Sequence, residues 1–141
     1  MNDQEAITTL DEAIKALDEA NETVISASRL KRSELFEILK RVYSIRLDEL
    51  DRDKLMQHII EQRKLEGANR AYIFKCSSGY TLPLRYVFSS NSDRSNVSRY
   101  AGAMETLARM GTSPNNFMKD LRENGGITAL YWLSRDHITK I

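Results

Sequence analysis

"RAYIFKCSSGYTLPLRYVF", from Arg70 to Phe88, is the stretch whose reading decides the fold. It is dense in aromatic and β-branched residues, and Ser77-Ser78-Gly79 at its centre reads as a turn. That pattern predicts a β-hairpin with strands near 70–76 and 80–88. In the first strand Tyr72, Phe74 and Cys76 alternate with Ile73 and Lys75. In the second, Leu82, Leu84, Tyr86 and Phe88 share one face, and Thr81, Pro83, Arg85 and Val87 the other. Pro83 cannot donate to a ladder, which points to an edge strand. A lone hairpin is marginal in water, so this one must rest on helices or pair with another copy.

On either side of this stretch the hydrophobic period is helical. Ile7, Leu10, Ile14, Leu17, Asn21 and Val24 recur at alternating spacings of three and four. This is an a/d heptad stripe, and it assigns 1–26 as an amphipathic arm that could form the coiled-coil seam of a homodimer. Asn21 would hold an a position, where a buried Asn fixes register. The same stripe also suits a helix packed on its own domain, and oppositely charged e/g pairs are missing. A single globular domain over 27–141 follows. Leu35, Phe36, Leu39, Val42 and Tyr43 give its first helix one wide apolar face. A helix starting near Asp48 or Asp51 carries Leu50, Leu55, Ile59 and Ile60, and Gly67 is its cap; together they make a helical pair over 27–66.

Beyond the hairpin, 92–136 reads as a three-helix unit. Ser92 or Asp93 caps a helix that ends at Gly111. Ser113 and Pro114 open a short second helix, which runs to Asn124. Gly125-Gly126 ends it, and "ITALYWLSR" (127–135) forms the last. Apolar residues wrap most of the circumference of that helix, so Trp132 is expected in the core, bracing the helix before it. The expected fold is therefore α+β and predominantly helical: about six helices, with one hairpin between the third and fourth.

Composition sets bounds on function. The chain of 141 residues is 41% hydrophobic and 29% charged, which is enough apolar material for one ordinary globular core. The single Cys76 excludes an intrachain disulfide and points to a reducing, cytoplasmic setting. The acidic start does not resemble a signal peptide, and no apolar run is long enough to span a bilayer. Net charge is +1 but unevenly spread: −6 over 1–28, +2 over 29–66 and +5 over 67–141.

Catalytic parts are missing. His58 and His137 fit no metal-binding spacing, Cys76 in a strand pattern is most simply a small buried residue, and Gly125-Gly126 lacks the lysine of a phosphate loop. The expectation is a non-enzyme with no cofactor, no metal and no small-molecule substrate. The most suggestive layout is "LARMGTSPNNFMKDL" (107–121), a helix, a Gly-containing turn and a short capped helix. It resembles a degenerate helix-turn-helix. Phe117 and Leu121 would face inward, while Asn115, Asn116, Lys119 and Arg122 would face outward. Asn suits the edge of adenine, and Lys or Arg suit guanine or phosphate. Arg94, Arg99 and Arg109 could hold the DNA backbone. Leu107 stands where the usual pattern has a small residue. The first expectation is therefore a small dimeric DNA-binding regulator of transcription. The alternative is a protein-interaction module, an adaptor or inhibitor with no nucleic-acid binding. It draws on near-neutral charge and on Tyr72, Tyr80, Tyr86, Tyr131 and Trp132, residue types enriched in interfaces.

Overall fold

The computed structural model describes residues 6–27, 30–47, 50–63, 79–88 and 96–139. Seven α-helices lie among them: α1 (Leu10–Ser26), α2 (Arg32–Tyr43), α3 (Arg52–Arg63), α4 (Thr81–Val87), α5 (Val97–Arg109), α6 (Phe117–Glu123) and α7 (Ile127–Thr139). A 3₁₀ turn, Pro114–Asn116, leads into α6. There is no strand among the described residues. The nearest thing to one is an isolated parallel bridge between Ile7 and Ile45.

The β-hairpin is therefore corrected. Residues 81–87, expected in its second strand, form α4, and 70–78 lie outside the described residues. Alternation misled here because nearly every side chain of α4 is buried. Leu82, Pro83, Leu84, Tyr86 and Val87 all face protein, with Phe88 just beyond, and only Thr81 and Arg85 are half-buried. Those two are four apart, the spacing of one helical face. Pro83 causes no conflict, because the first turn of a helix leaves its N–H groups without intrahelical partners. Among the described residues the fold is a helical assembly, not α+β.

Local chemistry sets the helix starts. Thr9 Oγ1 accepts from the Glu12 N–H (3.3 Å) and donates to Glu12 Oε1 (3.0 Å), closing the first turn of α1. Asp51 Oδ1 accepts from the Lys54 N–H at 3.2 Å and does the same for α3. Ahead of α1, Ile7 donates to Ser44 O and accepts from the Arg46 N–H, at 2.7 and 2.8 Å. These bonds tie the chain before α1 to the end of α2.

One hydrophobic cluster draws on every helix. It includes Leu17 and Val24 of α1, Leu39 of α2, Leu55 and Ile59 of α3, Leu84 of α4, Leu107 of α5, Phe117 and Leu121 of α6, and Leu130 of α7. Each such side chain contributes about 1.5–3 kcal/mol by leaving water. Among the described residues no helix is long and apolar enough to cross a membrane.

Candidate functional site

The α5–α6–α7 segment is held by two turns of the same design. At the end of α5, the Gly111 N–H donates to Ala108 O and the Thr112 N–H to Leu107 O, both at 3.0 Å. At the end of α6, the Gly125 N–H donates to Arg122 O (3.2 Å) and the Gly126 N–H to Leu121 O (2.9 Å). Each pair is a Schellman motif, which needs a left-handed residue just past the helix. Gly111 and Gly125 supply it, with φ of +80° and +90°.

The first turn is also anchored from α2. Tyr43 donates its hydroxyl to Thr112 O at 2.6 Å, and its ring packs 5.1 Å from Phe117 and 5.7 Å from Tyr80. Burial, reinforced by Tyr80 and Asp120, pushes the Tyr43 phenol well above its ordinary value of 10.0, so it keeps its proton and remains a donor. Thr112 in turn donates Oγ1 to Asp120 Oδ2 at 2.6 Å. Ser113 precedes Pro114 but makes no side-chain capping bond. The Thr112–Asp120 bond braces this corner instead.

Phe117 and Leu121 are buried, and Asn115, Asn116, Lys119 and Arg122 are exposed around the same short element. Asp120 lies between Lys119 and Arg122 in sequence and Glu123 follows Arg122, so α6 carries no net charge. On α5, Arg99 and Arg109 are exposed, and the Arg99 guanidinium donates to Asn96 Oδ1. Arg94 lies outside the described residues, as do Tyr72 and Cys76.

The last helix presents a different surface. Its inner edge is locked to α5: Thr106 Oγ1 donates to Leu130 O (3.0 Å) and to Gly102 O (3.1 Å). A Cβ on Gly102 would stand 2.8 Å from Tyr131 Cδ1, so the helices approach closely only because residue 102 has no side chain. The buried stripe is Leu130 and Ser134, with Ile127 and Tyr131 beside them. Trp132 is 55% exposed and Leu133 49% exposed. The expectation that Trp132 lies in the core is thus corrected. The polar Ser134 completes the inner stripe, which releases Trp132 and Leu133 to the outer face. The Tyr131 ring meets Trp132 edge-on, with centroids 5.4 Å apart.

No protein-family model matches the chain, and neither a curated protein nor a solved structure matches it. What the protein does must be argued from its own surfaces.

The six residues of the heptad stripe face this chain's own core. Leu17, Asn21 and Val24 are buried, and Ile7, Leu10 and Ile14 are half-buried against it. Asn21 Nδ2 donates to Tyr86 O and Val87 O, at 3.2 and 2.9 Å. It thereby satisfies carbonyls at the end of α4, a role the stripe alone could not reveal. Nearby, the Tyr86 hydroxyl donates to Asp18 Oδ1, and His58 Nε2 lies 3.7 Å from the same oxygen. This links α1, α3 and α4 side by side. Sequence spacing gives no hint of it, because the three residues span 68 positions. Among the described residues no group of three or more His, Cys, Asp or Glu could hold a metal ion.

Proposed function

We propose that the protein is a non-enzymatic protein-interaction module whose contact surface is the outer face of α7. One observation carries this reading. Trp132 and Leu133 stand about half exposed and adjacent, on a helix whose opposite edge is fixed to α5. Single exposed apolar residues are ordinary on a protein surface. A neighbouring Trp and Leu, with Tyr131 against the Trp ring, offer rigid apolar area of the kind that concentrates binding energy in interfaces. The helix is already ordered, so docking on it costs little conformational entropy.

The test is affinity capture from source cells, with and without nuclease, using the wild-type chain and Trp132→Ala. A partner that survives nuclease and is lost in the variant supports this function. A partner that both chains capture equally removes α7 as the contact.

A second reading, a small DNA-binding regulator, draws on the exposed row Asn115, Asn116, Lys119 and Arg122 beside the Gly111 turn. It ranks second because Asp120 and Glu123 offset the two cations of α6. Any two-fold would need a surface other than the α1 stripe, which faces the core. Lys119→Glu combined with Arg122→Glu abolishes the shift of a DNA probe at about 100 mM salt if this reading holds. An unchanged shift removes it.

A further inference from the structure

Helices α1 and α2 leave an open cleft of about 280 Å³ between them. Its floor is Ala16, Ala20 and Ile38. The two alanines lie one helical turn apart, and their small side chains leave room that a larger residue would fill. Its rim is acidic: Glu19 comes from α1, and Glu34 and Glu37 from α2, all exposed. Glu34 is oriented by its Oε1, which accepts from the Lys31 N–H at 2.8 Å. Against these three carboxylates stands one guanidinium, Arg41, 3.6 Å from Glu19. The exposed back of α1 adds Asp11, Glu12 and Glu22 against one cation, Lys15.

We infer that this cleft is a docking groove for a basic amphipathic helix of a partner protein. Lys and Arg side chains have apolar stems and charged heads, and the cleft has an apolar floor and a charged rim. The stem covers Ala16, Ala20 and Ile38, and the head reaches Glu34 and Glu37. Charge complementarity selects this occupant. A wholly apolar helix would strip water from Glu34 and Glu37 without giving them a cation, which is costly. Nucleic acid would be repelled, and a second copy of α1 would set acid against acid. The volume lies just below the range of ligand-sized clefts, roughly 300–1,000 Å³, which suits a few side chains of one helix. The inference is independent of the α7 reading, since it uses neither Trp132 nor Leu133.

The test titrates the full chain with a synthetic amphipathic helix bearing Lys on one face and Leu on the other, read by amide chemical-shift mapping. A peptide with Glu in place of every Lys is the control. The Lys peptide is expected to shift amides of α1 and α2 around the cleft, and the Glu peptide none. Glu37→Lys weakens binding about tenfold, equivalent to roughly 1.4 kcal/mol. Thr23→Trp, at an exposed position lining the cleft, weakens it by filling the space without touching the charge. Glu61→Lys, the same reversal on the exposed surface of α3, leaves affinity unchanged, as does Trp132→Ala. The inference is overturned if affinity survives both Glu37→Lys and Thr23→Trp. Shifts confined to α7, equal weakening by Glu61→Lys, or a cleft closed by self-association overturn it as well.

Discussion

The side-chain amide of Asn21, midway along α1, hydrogen-bonds the main-chain carbonyl of Val87, 66 residues further on. The same amide reaches Tyr86 O, so one buried side chain closes the end of α4. Helix ends expose carbonyls that find no partner within the helix, and burying them unsatisfied is expensive. Replacing Asn21 with Leu keeps the branched shape but removes the donor. The expected cost is about 1–3 kcal/mol in chemical denaturation, with the solution mass unchanged. If the mass changes while stability holds, Asn21 works instead at a seam between copies.

Gly111, in the turn after α5, and Gly126, the second glycine after α6, predict similar effects. At both Gly111 and Gly126 an added Cβ meets nothing within 4 Å, so space is not the obstacle. Backbone conformation is, because φ is +80° and +94°. Gly111→Ala and Gly126→Ala should each cost about 1–2 kcal/mol, measured by urea midpoint, with no change in the cooperativity of unfolding. An effect near zero at Gly111 would mean that the α5–α6 corner has freedom to re-form.

Gly102 tests the opposite case. Its backbone is ordinary helix, where Ala is normally favoured by roughly 0.5–1 kcal/mol. Here a Cβ would press on the Tyr131 ring, so steric strain opposes that gain. Overpacking typically costs about 1–3 kcal/mol, which outweighs it. Gly102→Ala therefore lowers stability, and the paired change Gly102→Ala with Tyr131→Leu restores part of the loss. Without that rescue, the close approach of α5 and α7 is not what the glycine serves.

How far these features could be read in advance depends on the side chains that carry them. Gly125 marks the end of α6, and the Ser113-Pro114 pair the start of the 3₁₀ turn that leads into it, because backbone conformation is written directly into those residue types. The stripe of α1 was visible as a period, but a period does not say what covers it. The same Leu17 and Val24 would serve a second copy or, as found, the chain's own core. The 81–87 segment failed for a physical reason. A helix buried on nearly all sides loses the polar face that betrays its period, leaving only Thr81 and Arg85 as a trace. The α7 face failed in the reverse sense, since Ser134 lies inside while Trp132 lies outside. The α1–α2 cleft was invisible because its walls come from two helices whose relative placement no local pattern encodes.

Glu105 gives a pH dependence with a definite sign. It is half-buried on α5, and burial raises its carboxyl above the ordinary value of 4.5, with Arg109 pulling the other way. A raised value means that the folded state resists ionisation. The stability contribution is thus complete below about pH 4.5 and is lost as pH rises through the folded-state value. Glu105→Gln should stabilise the protein at neutral pH and lose that advantage at about pH 4. The gain stays under about 1 kcal/mol because the carboxyl is partly solvated. Thermal melts across pH give the answer, and a gain that persists in acid would assign it to packing rather than charge.

Trp132 separates stability from contact. A tryptophan in the core would cost about 3–5 kcal/mol on truncation to Ala. Exposed as it is, its main loss within the chain is the edge-on pairing with Tyr131, worth roughly 0.5–1.5 kcal/mol. Trp132→Ala should therefore melt close to the wild type. If α7 is the contact face, the same change weakens partner capture by about 2 kcal/mol or more, roughly thirtyfold, the scale of an interface hot spot. Leu133→Ala, beside it, should act in the same direction with a smaller effect, since Leu is under-represented among such residues. Leu130→Ala, on the buried edge, should do the reverse and lower stability by about 2–5 kcal/mol. A steep loss of stability at Trp132 with binding intact would return that ring to the core and remove the contact face from α7.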